Sequence, residues 1–218
     1  MRQVVGKATL ELTDGDFARL RRGYRRLLLD IGTGDGKHVL AQARRRPDTL
    51  VVGLDASADR MRSASARAAA KPARGGVPNA LYVWASLEQL PSAIVDVDEV
   101  HVLMPWGSLL RALVQPDVDA LLAVARACVP GASFLVTLNL HAWRPPVPEV
   151  GAVPEPTPRS ALTELAPALL AAGWRLDSAD YFGEREIADL ATSWTKRLGA
   201  SRQRLDVLGL RGSITAPP

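Results

Sequence analysis

Hydrophobic and polar positions in this 218-residue chain change period several times. Residues 2 to 12 alternate around Gly6-Lys7, with Val4-Val5 on one side and Ala8-Thr9-Leu10-Glu11-Leu12 on the other. That pattern predicts a small β-hairpin ahead of the main fold. Thr13-Asp14-Gly15-Asp16 then caps a short helix carrying Phe17 and Leu20. From there, apolar runs of strand length predict strands over Arg26 to Ile31, Leu50 to Leu54, Ala80 to Trp84, Glu99 to Leu103 and Ser133 to Leu140. Segments of helical spacing separate most of them: His38 to Arg46, Ser57 to about Ala70, and Val118 to Cys128, stopped by Val129-Pro130-Gly131. This alternation implies a mostly parallel sheet with right-handed crossovers.

The last third reads differently. Six prolines between 141 and 160 disfavour helix and strand alike and predict a long extended insert, a type of loop that is often functional. Helix resumes over Ala161 to Ala172, a strand over Trp174 to Tyr181, helix in part over Glu184 to Leu198, and a final strand over Leu205 to Ile214. Two terminal strands across a short connection form an antiparallel hairpin, so the sheet ends on a reversed strand. The expected organisation is one domain, 1–218, with an N-terminal extension (1–24) and the insert (141–160).

Composition narrows the setting. Hydrophobic residues make up 47%, too many for a disordered chain, yet the apolar runs fall far short of the ~20 residues a spanning helix needs. The N-terminus lacks the apolar stretch of a signal peptide, and one cysteine, Cys128, excludes an internal disulfide framework. A cytoplasmic location with no membrane contact is therefore expected. The net charge of +4 comes from arginine, in clusters at Arg19 to Arg26, at Arg60 to Arg74 and at Lys196 to Arg204. These are either solvated helix faces or a polyanion-binding surface, if the fold brings two of them together.

The candidate chemistry starts at Leu29-Asp30-Ile31-Gly32-Thr33-Gly34-Asp35-Gly36, where a strand meets a glycine turn and then a helix. Such a turn prepares a nucleotide-sized cleft at the carboxyl edge of an α/β sheet; a plain glycine-rich turn with no ligand is the alternative. A dinucleotide site favours Gly-x-Gly-x-x-Gly and phosphate at the helix N-terminus. Here the spacing is Gly-x-Gly-x-Gly and Asp35 would repel a pyrophosphate. The pattern suits S-adenosylmethionine (SAM), whose amino-acid end carries an ammonium. Asp55 closes the second predicted strand, where an acid accepts ribose hydroxyls; it also reads as an N-cap for the helix starting at Ser57, and the two roles are compatible. Glu88 follows the third strand at the place of a further polar contact.

The fourth strand ends in Leu103-Met104-Pro105-Trp106. Enzymes that methylate exocyclic amines commonly place Asn or Asp there; this chain keeps Pro-aromatic and lacks the polar acceptor. A ring nitrogen with a free lone pair needs only alignment with the methyl donor, so the substitution leans toward such a target. Trp106 is either a base-stacking residue or core. Trp194, among polar and cationic residues, is a second stacking candidate, whereas Trp84, Trp143 and Trp174 read as packing. His38, His101 and His141 show no metal-ligand spacing, and no metal is expected. His101 reads as a satisfied core histidine. Cys128 does not have the context of a nucleophile.

With these residues in place, the chain resembles the 16S rRNA adenine-N1 methyltransferases of aminoglycoside resistance. The resemblance rests on Val4 to Lys7, Leu29 to His38, Ala68 to Ala73, His101 to Leu110, Leu138 to Pro145 and Thr192 to Thr195. It implies a class I SAM-dependent methyltransferase (Rossmann-like) fold and methylation of N1 of adenine 1408 in the helix 44 decoding site of the 30S subunit. The implied product is resistance to kanamycin and apramycin, and the implied enzyme is a monomer. Carried over residue by residue, the catalytic pair is Trp106 and Trp194, clamping a flipped adenine. The cofactor set is Asp30, Gly32, Gly34, Asp55, Ala56, Leu87, Glu88, Leu103, Ser108 and Thr192. Lys71, Arg74, Arg197, Arg202 and Arg204 are implied to grip RNA. Methylation of tRNA or a small molecule, or ribosome binding without catalysis, are the rival readings.

Overall fold

Alternate residues of the central strand, Arg26–Ile31, feed two separate cores, and the rest of the sheet is laid down beside it. The computed structural model describes residues 1–144, 149–191 and 207–215. In chain order the strands are β1 (Arg2–Val5), β2 (Ala8–Glu11), β3 (Arg26–Ile31), β4 (Thr49–Asp55), β5 (Ala80–Trp84), β6 (Val97–Leu103), β7 (Cys128–Asn139), β8 (Trp174–Tyr181) and β9 (Val207–Ile214). The helices are α1 (Asp14–Arg21), α2 (Lys37–Arg45), α3 (Ala58–Ala68), α4 (Gly107–Val114), α5 (Val118–Ala127), α6 (Pro158–Ser160), α7 (Ala166–Ala171) and α8 (Glu184–Asp189). One sheet takes all nine strands in the order β2-β1-β5-β4-β3-β6-β7-β9-β8. Its centre, β5-β4-β3-β6-β7, is parallel, while β9 runs antiparallel to both β7 and β8. The doubly wound sheet with a reversed strand therefore forms as expected.

Leu27, Leu29 and Ile31 point into one core with Phe17 of α1, Leu110 and Leu113 of α4, and Leu121 and Val124 of α5. Leu28, between them, points to the other face with Val39 and Leu40 of α2 and Met61 and Ala64 of α3. This is the two-residue alternation of a strand applied to an uninterrupted apolar run, which is how a parallel strand covered on both faces reads. A third cluster joins Leu103 and Met104 at the end of β6 to Ile187 and Leu190 of the α8 region.

Several boundaries differ from expectation, each for a local reason. The N-terminal hairpin is stitched onto the main sheet rather than standing ahead of it: β1 pairs antiparallel with β5 through Gln3 and Val83. Strand β7 starts at Cys128, not Ser133, and passes through Pro130-Gly131. Val97 faces Cys128 and Glu99 faces Ser133, so Val129 to Ala132 form a bulge that absorbs the missing proline N–H and the positive φ of Gly131, 83°. Helix α4 is an element that Pro105 and Gly107 conceal in the sequence.

The segment expected as one helix from Ala161 opens instead into a π-turn, Ala161–Leu165, ahead of α7. Pro167 has no N–H and would collide with the carbonyl four residues back, which a widened turn relieves. Within the insert, α6 forms despite the prolines. Pro158 occupies the first turn, where its missing N–H costs nothing, and Thr157 and Ser160 cap each other reciprocally at 3.1 and 2.9 Å. Among the described residues no helix is long and apolar enough to cross a membrane.

Strand β9 carries two glycines for steric reasons. A Cβ at Gly212 would lie 2.0 Å from the Arg175 carbonyl oxygen of β8 and 2.7 Å from the Phe134 ring of β7. Gly212→Ala is expected to cost about 1–3 kcal/mol, the usual range for overpacking. Gly15→Ala, inside α1 with its nearest neighbour 3.9 Å away, is expected to stabilise by about 0.5–1 kcal/mol. Thermal melts of the two variants should move in opposite directions.

Candidate active site

The carboxyl ends of β3, β4, β5 and β6 open into one cleft of about 920 Å³. Its walls are Asp30 to Asp35 and His38 below, Leu54 to Ser57 with Arg60 beside them, Ala85 to Glu88 from the turn after β5, and Leu103 to Trp106 with Ser108 and Leu109 from the end of β6. Ten expected site residues meet here: Asp30, Gly32, Gly34, Asp55, Ala56, Leu87, Glu88, Leu103, Trp106 and Ser108. A ligand site outside the carboxyl ends of parallel strands is the general rule for this kind of sheet.

Asp30 lies at the bottom, 1% exposed, with the Thr33 hydroxyl donating to its Oδ2 at 2.6 Å. Burial is the main influence on it and pushes the carboxyl up to about 6, against the pull of the Thr33 hydrogen bond and of His101. Asp55 is braced by backbone on both oxygens. Gly34 N–H donates to Oδ2 and Ser57 N–H to Oδ1, each at 2.8 Å. It is thus not the helix cap, a place Ser57 takes, but the bolt between β4 and the glycine turn; each oxygen keeps a second lone pair.

The turn itself is built from left-handed glycines. Gly32, Gly34 and Gly36 have φ of 71°, 58° and 68°, which other residues adopt only at a cost. A Cβ at Gly32 would meet Leu109 at 2.4 Å and one at Gly36 would meet Tyr82 at 2.4 Å, whereas at Gly34 the nearest atom is 4.0 Å away. Gly34 is therefore where a ligand can lie against the backbone.

These features fit SAM and disfavour a dinucleotide. Asp35 occupies the N-terminus of α2, accepting from Lys37 N–H at 3.2 Å and pairing with Lys37 Nζ at 2.6 Å, so the place where a phosphate would sit already holds an anion. A buried carboxylate with a single hydroxyl against it suits a cationic or strongly donating ligand.

At the end of β6 the backbone is strained. Met104 has φ of 48°, rare for a side chain of its size and disfavoured again by the proline that follows. Its N–H donates to Thr137, to the carbonyl at 2.9 Å and the hydroxyl at 3.0 Å. Trp106 emerges at the rim, 41% exposed, which removes the core reading. Glu149, from the insert, is held over α4 by Arg111 at 3.1 Å, beside Gly107. Trp174 is core, its Nε1 donating to the Leu121 carbonyl at 3.0 Å. Trp84 braces the cleft wall, donating from Nε1 to the Ala56 carbonyl at 2.9 Å.

The basic residues divide. Arg60 lines the cleft, while Lys71 and Arg74 stand exposed beyond the far end of α3, on the turn Pro72–Arg74, and do not face it. Thr192, Trp194, Arg197, Arg202 and Arg204 lie outside the described residues. Burial pushes the Cys128 thiol up to about 12, Asp98 adding to it, which leaves it a poor nucleophile. The sequence reading missed Thr33, whose place beside Asp30 within the glycine turn was a usable signal. It named His38 within a matching segment and Arg60 within a basic cluster but gave neither a place in the cleft.

His101 is satisfied, as expected of a core histidine. Its Nδ1 lies 2.8 Å from His38 Nε2 and its Nε2 lies 2.8 Å from Glu99 Oε1. Glu99 also pairs with Arg46, and His38 Nδ1 reaches the Leu190 carbonyl. Burial alone would raise the Glu99 carboxyl, but the hydrogen bonds and charges of His101 and Arg46 outweigh it and hold the group at about 2.

Comparison with known proteins agrees with this geometry. The family model NpmA, 16S rRNA (adenine(1408)-N(1))-methyltransferase, matches residues 2–213. A 16S rRNA (adenine(1408)-N(1))-methyltransferase of Streptoalloteichus tenebrarius is 56% identical over 215 residues, 99% of this chain and 100% of that protein. Among solved structures, the 16S rRNA methyltransferase KamB superimposes with a TM-score of 0.94 at 56% identity, covering 99% of this chain and 100% of its own. A tryptophan-to-alanine variant of the enzyme from Catenulisporales acidiphilia, crystallised with cosubstrate SAM, gives 0.90 at 34% identity over 100% of this chain and 98% of that one. The fold is that of the class I SAM-dependent methyltransferases, and the chain belongs to the 16S rRNA (adenine(1408)-N(1))-methyltransferase family.

Proposed function

We propose that the protein methylates N1 of adenine 1408 in the helix 44 decoding site of the 30S subunit, with SAM as donor, and so confers resistance to kanamycin and apramycin. The observation that carries this reading is the end of β6. An apolar Leu103-Met104-Pro105 and an exposed Trp106 flank the cleft where an amine methyltransferase would place Asn or Asp. Bound SAM supplies an electrophilic methyl group on a sulfonium. The chain's part is to hold donor and acceptor in line, since adenine N1 offers a free lone pair and needs no general base. Asp30 takes the ammonium end, with Gly34 leaving room for the ligand against the backbone. Asp55 and Glu88 take the nucleoside, with Leu87, Ala56, Leu103, Ser108 and Thr192 around it.

Trp106 stacks on the flipped base, and Trp194 closes the other side. Two aromatic faces also favour the positive charge that ring methylation creates. Lys71, Arg74, Arg197, Arg202 and Arg204 contact rRNA, recognised here by shape within a folded particle. The protein works as a cytoplasmic monomer, one domain spanning residues 1–218.

Three outcomes are expected. Trp106→Ala and Trp194→Ala should each leave SAM affinity within about twofold by calorimetry. Methyl transfer to purified 30S should fall roughly 10- to 100-fold, the scale of a lost stacking interaction of about 1–3 kcal/mol; reverse-transcriptase stops at adenine 1408 report the product. SAM affinity should also depend on pH through Asp30. Its carboxyl is ionised above about 6, so the attraction for an ammonium is present above that pH and lost below it. Affinity at pH 5 should be about tenfold weaker than at pH 7.5, and Asp30→Asn should be weak and flat across the range. Finally, 30S binding should weaken steeply with added salt, as binding carried by phosphate contacts does.

A further inference from the structure

A buried chain of polar groups runs from the surface of α2 to the end of α8: Arg46, Glu99, His101, His38 and the Leu190 carbonyl. His38 and His101 are 3% and 4% exposed, and the cofactor reading uses neither. Three short contacts link the last four groups, and each needs one proton. The Leu190 carbonyl can only accept, so His38 Nδ1 carries a proton and donates to it at 2.5 Å. His38 Nε2 and His101 Nδ1 share a proton at 2.8 Å, and His101 Nε2 donates to the Glu99 carboxylate at 2.8 Å. Two neutral imidazoles supply only two protons. The third protonates one of the two rings, beside the Glu99 carboxylate and, across the β3–β6 ladder, Asp30. Burial, followed by the charge of His101, pushes His38 down to about 3.

A second observation falls at the same end of α8. Ala191, the residue after Leu190, has φ of 52°, a left-handed conformation that costs a non-glycine residue roughly 1–2 kcal/mol. The Leu190 side chain is buried against Leu103 and Met104. A strained turn is thus pinned on both sides of one peptide, by apolar packing and by a histidine donor. That histidine also lines the cleft. The chain reaches Thr192 at the next residue and Trp194 two further on.

We propose that His38 is a positioning residue for methyl transfer: its Nδ1 proton registers the end of α8, which precedes Thr192 and Trp194 in the sequence, on the floor of the cofactor cleft. The inference rests on the assignment of Trp194 to the target base. His38→Ala should lower kcat for 30S methylation at least tenfold while leaving SAM affinity within about twofold. His38→Asn, which places an amide donor where Nδ1 was, should recover most of the rate, and His38→Gln, whose polar end falls at the position of Nε2, should not. Imidazole ¹⁵N shifts of the unsubstituted enzyme at neutral pH should show His38 with its proton on Nδ1.

Equal loss of rate in the Asn and Ala variants, unchanged turnover in the Ala variant, or an Nε2–H tautomer at His38 would each overturn the proposal. The tautomer measurement stands even where a substituted protein does not fold. Trp194→Ala assayed in parallel separates the two readings. Full activity in that variant defeats the assignment of Trp194, whereas a dead Trp194→Ala beside an active His38→Ala defeats only the role of His38.

Discussion

A carboxylate buried at the end of the central strand is the group around which this cleft is arranged. Leaving water costs an ionised carboxyl several kcal/mol unless partners replace the solvent, and Asp30 finds one hydroxyl, from Thr33. The glycine turn makes even that contact possible, because Gly32 and Gly34 bend left-handed on either side of Thr33. The same turn offers its Gly34 N–H to Asp55, so the two acids at the ends of β3 and β4 are held by a single loop. Tyr82, from beneath, donates to the Gly36 carbonyl at 2.9 Å and fills the space a larger residue would need. The cleft is thus stiff where it meets the donor, with its electrostatic cost left for a ligand to offset.

The other wall stores strain instead. Met104 sits in a conformation worth roughly 1–3 kcal/mol of penalty, and two acceptors on Thr137 at 2.9 and 3.0 Å oppose it. Its consequence is directional. With Met104 turned back and Pro105 rigid, Trp106 emerges at the rim rather than folding into the core, and α4 begins at once behind it. An exposed indole next to an apolar strand end is a surface for a flat, weakly polar partner, which a purine ring is.

Most of this was legible in the amino-acid order, and the exceptions share a cause. The strands β3 and β5 and the glycine turn were readable because local period and composition determine them. Asp30, Asp55 and Trp106 were readable as site residues because they stand at strand ends, where this sheet binds ligands. Helix α4 was hidden, since a proline and a glycine beside it look like loop. The bulge in β7 and the π-turn before α7 were missed because a proline can be absorbed by tertiary pairing as well as by a break. Beside its place in the site, Asp55 proved a brace rather than a helix cap, a role set by Gly34, 21 residues away. The pairing of the histidines was invisible: His38 and His101 are 63 residues apart, in separate segments, and only the tertiary fold brings them into contact.

The hairpin at the N-terminus has one more effect, on the boundary of the sheet. A parallel sheet ending at β5 would present an open row of amides and carbonyls to any other chain. Here β1 covers that row, and the new margin, β2, is four residues long and exposed throughout. At the opposite margin β8 slips register between Leu176 and Ser178, with Arg175 and Asp177 paired at 2.9 Å along it. A four-residue ribbon on one side and a charged, bulged strand on the other are poor templates for further strand addition. The fold therefore resists sheet-to-sheet aggregation at both ends, leaving the carboxyl edge as the face open to a partner.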